Sequence, residues 1–130
     1  MGKVVERFKK ETTEKFHPID NFGAYEIEEM VKEIIKSKLK ESEINYEIVD
    51  LAIIGSRSRG LEHPDSDLDV VVEVKANVKE YVLFNIFNEE PIYIGGICVD
   101  INPIREEETG KLKEYLLRAE KYLKNKEETK

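Results

Sequence analysis

Scarcities in this 130-residue chain each remove a class of protein. There is one cysteine, Cys98, so an intramolecular disulfide cannot form and a cysteine-rich zinc site is excluded. No apolar run approaches the ~20 residues that span a bilayer, and the opening MGKVVERFKK lacks the apolar segment of a signal peptide. The chain therefore reads as a soluble, cytoplasmic protein with no membrane role. Positive charge is in deficit, with 21 Lys and Arg against 28 Asp and Glu and a formal charge of −7. Proteins that grip nucleic acid through its phosphates carry a basic face, so this balance argues against nucleic acid as the main partner. Internal repeats and low-complexity segments are absent too. What is present is one domain's length of chain, able to bury roughly two-thirds of its unfolded surface without a disulfide or structural metal.

The apolar residues fall into periodic segments. Residues 1–23 are polar and mixed in charge, with Val4, Val5 and Phe8 at helical spacing and Pro18 ending what precedes it. This stretch reads as a helical or partly ordered N-terminal extension. From Ala24 to Leu39, Ile27, Met30, Val31, Ile34, Ile35 and Leu39 recur at three- and four-residue steps, which predicts an amphipathic helix. YEIVDLAII, ending at Gly55, is rich in β-branched residues and predicts a strand. The loop SRSRGLEHPDS follows, then a second strand, DLDVVVEV, and helical spacing over 78–88. PIYIGGICVDINPI predicts two short strands hinged at Gly95-Gly96. Leu112, Tyr115, Leu116, Ala119, Tyr122 and Leu123 mark a last helix, and the tail beyond it is expected to fray. The order predicts a small α/β (α+β) domain over 24–126, a short mixed sheet with helices packed against it, and a frayed tail at 127–130.

The chemistry concentrates in IIGSRSRGLEHPDSDLDVVVEV and the later VDINPI. Asp67 and Asp69 stand two apart in a strand-like run, so their carboxylates share one face about 6–7 Å apart while Leu68 and Val70 point the other way. Two neighbouring carboxylates repel unless a cation lies between them. Asp100 sits in the apolar strand ICVDINPI, where an unpaired carboxylate would be costly if buried. If that strand pairs beside the Asp67/Asp69 strand, three carboxylates converge. Such an oxygen donor set suits Mg²⁺ or Mn²⁺ and the two-ion chemistry of phosphoryl or nucleotidyl transfer. A phosphate holder is also at hand: Gly55-Ser56 follows a strand directly, Gly60 comes soon after, and Arg57 or Arg59 can offset phosphate charge. Ten residues separate Ser56 from Asp67, enough for a loop that folds back.

GSRSRG, then Asp65-Ser66-Asp67-Leu68-Asp69, then Val99-Asp100, resembles the signature of minimal nucleotidyltransferases in the DNA polymerase beta superfamily. The resemblance covers roughly residues 25–125 and rests on three separated elements in order, since a Gly-Ser pair alone carries nothing. It implies a polymerase-beta-like nucleotidyltransferase fold. It implies that Gly55 and Ser56 hold the β- and γ-phosphates, that Asp67 and Asp69 bind both divalent ions, and that Asp100 binds the catalytic ion and helps deprotonate the attacking hydroxyl. Arg59 aligns with an arginine found in the minimal members and is assigned to nucleotide binding. The implied reaction is in-line attack on the α-phosphorus of a nucleoside triphosphate, with ATP the expected donor and pyrophosphate leaving.

The acceptor is less legible. Larger relatives append a helical domain that completes the acceptor pocket, and the chain after the last helix is too short for one. The acceptor surface is therefore expected from another protein or from an oligomer of this chain. The resemblance implies a small helical HEPN-type partner in a toxin–antitoxin pair, with AMP added to that protein. A small-molecule, aminoglycoside-type acceptor is the second reading, an RNA 3′ end the third, and a non-catalytic nucleotide- or partner-binding module the reading outside enzymes. Standing alone, DSDLD would read as a turn entering a strand. Among other residues, His63 reads as a solvated loop residue and Cys98 as a small core residue. Tyr115 and Tyr122 read as core, and Asn102 as facing the site.

Overall fold

A computed structural model describes residues 2–128, with side chains as far as Lys121. Helices α1 (Lys3–Lys15) and α2 (Ala24–Glu41) precede strand β1 (Tyr46–Ile54) and a 3-10 turn (Ser56–Arg59). Strand β2 (Leu68–Ala76), helix α3 (Glu80–Asn88), strands β3 (Ile92–Ile94) and β4 (Ile97–Ile104) and helix α4 (Leu112–Glu128) complete the order. The four strands form one mixed sheet in the order β1-β2-β4-β3. β1 and β2 are antiparallel, β2 and β4 parallel, and β3 and β4 antiparallel. This is the α+β arrangement that the order of patterns predicts. Among the described residues no helix is long and apolar enough to cross a membrane.

Strand alternation divides the core into two. Leu51 and Ile53 of β1, Leu68, Val70, Val72 and Val74 of β2, and Val99 and Ile101 of β4 point to one face. There they meet Ile27, Val31, Ile35 and Leu39 of α2 and Leu83 and Phe87 of α3. The intervening residues Ala52, Val71 and Ile104 point to the other face, under Val5 and Phe8 of α1 and Leu112 and Leu116 of α4. Glu73, on this second face, is buried and accepts a hydrogen bond from the Leu112 N–H at 2.8 Å, which ties the start of α4 to the sheet. The stretch read as an N-terminal extension thus supplies a helix whose Val5 and Phe8 are fully packed against the sheet. Of the tail expected to fray, α4 carries residues 127 and 128, and 129–130 lie outside the described residues.

The β3–β4 hairpin turns at Gly95 and Gly96, both with positive φ (56° and 79°), as a two-residue turn matched to strand twist requires. The hairpin is short: β3 pairs only with Ile97–Val99, leaving the outer edge of β4 bare further on. Asn88 fills that gap. Its side-chain amide donates to the Ile101 carbonyl at 2.8 Å and its oxygen accepts from the Ile101 N–H at 3.1 Å, imitating a strand residue beside Asp100.

Candidate active site

The parallel register of β2 and β4 sets Asp69 directly opposite Asp100 and Leu68 opposite Val99. With neighbouring strands about 4.8 Å apart, the two carboxylates lie side by side on the second face. Asp67, one residue before β2, is close enough to share a hydrogen bond with Asp100. Asp67 and Asp100 are exposed and Asp69 is half-buried. The pairing on which the convergence of carboxylates depends is therefore present.

Their electrostatics follow from crowding like charges without a counter-charge. Partial burial, then the charges of Asp100 and Asp67, push the Asp69 carboxyl up to about 6. Burial, the charge of Asp67 and the hydrogen bond to Asp67 raise Asp100 above the ordinary carboxylate range. Crowding therefore favours the protonated forms of Asp69 and Asp100 relative to isolated carboxyls. Among the described residues, no group of three or more His, Cys, Asp or Glu is arranged to hold an ion by itself. An ion at these carboxylates would need further oxygen ligands from substrate phosphates or water, as is usual for Mg²⁺. Hard oxygen donors whose mutual repulsion a cation would relieve fit Mg²⁺ or Mn²⁺.

The Gly55-Ser56 turn abuts these carboxylates. Ile54, the last residue of β1, pairs with Asp69, and the chain turns at once. Gly55 has φ 75°, and a Cβ placed on it would stand 2.7 Å from Asp69 Oδ2, so a side chain is excluded both by conformation and by space. The Gly55 carbonyl accepts from the Ser58 N–H at 3.2 Å and from the Ser58 hydroxyl at 2.8 Å, which closes the 3-10 turn behind Ser56. Arg57 is buried and donates from Nε to the Ser66 carbonyl at 3.0 Å, tying the turn to the chain just before Asp67.

Arg59 goes elsewhere. Its guanidinium is buried against α1, donating to Thr12 Oγ1 at 2.9 Å and to the Ser58 carbonyl at 3.1 Å. It lies 3.5 Å from Glu11 Oε2 and 4.3 Å above the Phe8 ring. The structure thus groups Asp67, Asp69, Asp100, Gly55 and Ser56 and commits Arg59 to bracing the turn from behind. Cys98 is corrected as well. Val99 and Ile101 take the core face of β4, so Cys98 shares the face of Asp100 and is half-buried, with its thiol raised by burial and by Asp100 and Asp67. Asn102, on that face, donates to the Tyr115 hydroxyl at 3.1 Å, and Tyr115 packs at the edge of the second core. Tyr122 lies outside the described side chains. His63 is an exposed loop residue, as its sequence context predicts. Asn88 carries no signal in the sequence, because its role depends on how short β3 is.

Paired carboxylates on adjacent parallel strands thus stand next to a Gly-Ser turn that follows an antiparallel strand. The nucleotidyltransferase domain family matches residues 28–128, and the chain belongs to that family. A relative in Methanocaldococcus jannaschii, named "Putative protein adenylyltransferase MJ1215", is 42% identical over 43 residues. That match takes in 33% of this chain and spans half the length of the relative. No solved structure matches the chain at a comparable level.

Proposed function

We propose that the chain transfers a nucleoside monophosphate, with ATP as donor, to an acceptor hydroxyl in a reaction that depends on Mg²⁺ or Mn²⁺. The observation that carries this reading is the register of Asp69 against Asp100 with Gly55 in contact with Asp69, in a chain of the nucleotidyltransferase family. Asp67, Asp69 and Asp100 would hold the divalent ion, whose chemistry there is neutralisation of charge on the transferring phosphoryl group. The backbone at Gly55 and the Ser56 hydroxyl bind the β- and γ-phosphates, which fixes the leaving pyrophosphate on the β1 side. Asp100, beside the α-phosphorus, takes the proton of the acceptor hydroxyl.

A protein is the favoured acceptor. The name of the M. jannaschii relative supports that choice, and the earlier resemblance extends it to a small helical HEPN-type partner in a toxin–antitoxin pair. A small-molecule acceptor of the aminoglycoside type remains the alternative, and the test separates them. α-³²P-labelled ATP and Mg²⁺ are supplied to the protein with a lysate of the source cells, and Asp67→Asn serves as control. Label on a protein band, lost in the variant, supports the reading. Label confined to a small molecule moves the acceptor to the alternative. Absence of transfer by a folded wild-type protein rejects nucleotidyl transfer.

A further inference from the structure

One aromatic side chain on the carboxylate face has no part in the core. Ile92 and Ile94 of β3 pack into the core on the α2/α3 face, so Tyr93 between them points to the opposite face. Its partner across the hairpin is Cys98, and Cys98 and Asp100 share a face. Tyr93 and Asp100 are therefore diagonal neighbours, about 7–8 Å apart between backbones and within reach of a side chain as long as tyrosine. Tyr93 is 63% exposed, since α1 and α4 cover the β1/β2 side of this face and leave the β3 side open.

The sheet order sets four features in a row: the Gly55-Ser56 turn beyond β1, Asp69 on β2, Asp100 on β4 and Tyr93 on β3. In-line displacement puts the attacking and leaving oxygens on opposite sides of the phosphorus. With pyrophosphate held by Gly55 and Ser56 and the α-phosphorus over the carboxylates, the attacking hydroxyl comes from the β3 side. Among the described residues, the exposed hydroxyl that the row places there is the Tyr93 phenol.

We infer that Tyr93 is an acceptor in its own right, and that the protein nucleotidylylates itself there. This rests on the nucleotidyl-transfer reading and adds a modification site to it. The Tyr93 oxygen attacks the α-phosphorus of ATP, and an Oη–P bond forms as the bond from that phosphorus to the bridging oxygen of the β-phosphate breaks. Pyrophosphate leaves with the electron pair, and the phenolic proton passes to the Asp100 carboxylate. The product is a tyrosyl–AMP phosphodiester standing where any other acceptor would have to approach.

Two other tyrosines make the test internal. Tyr25 on α2 and Tyr81 on α3 are each 67% exposed, slightly more than Tyr93, but their helices pack on the opposite face of the sheet. Purified protein alone is given α-³²P-labelled ATP and Mg²⁺, the chain is assayed for label, the labelled peptide is mapped by mass spectrometry, and pyrophosphate release is followed in parallel. The expected result is label on the peptide holding Tyr93, retained by Tyr25→Phe and Tyr81→Phe and reduced to background by Tyr93→Phe. Label that maps to Tyr25 or Tyr81, or persists in Tyr93→Phe, overturns the inference. Pyrophosphate release without label on the chain also overturns it and leaves nucleotidyl transfer standing. Neither release nor label overturns it too, and transfer to the acceptors of the lysate then decides whether nucleotidyl transfer stands.

Discussion

The two faces of the sheet are built from the same strands by alternate residues, yet they do opposite work. The face under α2 and α3 takes Leu68, Val70, Val72, Val99 and Ile101, all fully or almost fully buried. The face under α1 and α4 takes Asp69, Asp100 and Glu73, with Ala52, Val71 and Ile104 as its apolar part. One face supplies cohesion through apolar burial. The other accepts like-charge repulsion at one end and is held together at the other by Phe8, Leu112 and the Glu73 bond to α4. Stability and chemistry are thus assigned to opposite sides of single strands, and substitutions one residue apart should separate them.

The largest effect is expected from the carboxylates. Asp69→Asn should cut transfer by at least about a hundredfold, the scale of losing one preorganised electrostatic group. Its unfolding midpoint should stay level or rise, because the substitution removes repulsion from Asp67 and Asp100. Activity assays and denaturant melts on one preparation check both halves. Next door, Leu68→Ala should do the reverse, costing about 2–5 kcal/mol of stability in a urea melt through the cavity it opens. What remains folded should still bind nucleotide.

How much of this contrast was legible in the sequence depends on whether the information is local. The shared face of Asp67 and Asp69 follows from strand alternation, and the same rule applied to Cys98 and Asp100 would have put that cysteine beside the carboxylates rather than in the core. The neighbouring of β2 and β4 is a matter of topology, so the sequence states it only as a condition. The packing of Arg59 is hidden from the sequence for a stronger reason. Its partner Thr12 lies 47 residues away on α1, a helix that nothing in the motif requires. Asn88 is equally non-local, since it serves an edge of β4 left bare by the shortness of β3.

The brace on the Gly-Ser turn gives an intermediate prediction. Arg59→Ala removes the contacts to Thr12, Glu11 and Phe8 from behind the turn. It should raise the KM for ATP several-fold, with a loss of stability of about 1–3 kcal/mol from buried partners left unpaired. Gly55→Ala acts on the same turn from the front, straining the backbone and forcing the Asp69 carboxylate to move, and should lower kcat and cost about 1–3 kcal/mol in the melt.

The smallest effect concerns Glu28, which is buried where α2 meets α1 and β1 and stands 4.0 Å from Lys9, itself bound to Asp50 at 2.7 Å. Burial pushes its carboxyl up to about 7, although Lys9 works against the rise. A carboxyl raised on folding stabilises the fold below its unfolded value near 4.5, and this contribution is lost as pH rises through about 7. Glu28→Gln should therefore match the wild type below pH 4.5 and exceed it at pH 8 by on the order of 2 kcal/mol. Paired melts across that range are the check, and a wild type more stable than the variant at pH 8 would contradict it.

The central claim is that the carboxylate face, together with the Gly55-Ser56 turn, holds a nucleoside triphosphate through a divalent cation. Calorimetric titration of ATP into the wild-type protein and into Asp69→Asn, each with Mg²⁺ and then with the cation chelated, tests it most directly. The account predicts binding by the wild type with Mg²⁺, and loss of that binding both on chelation and in the variant. Equal affinity in all four titrations, with both proteins folded, would contradict it.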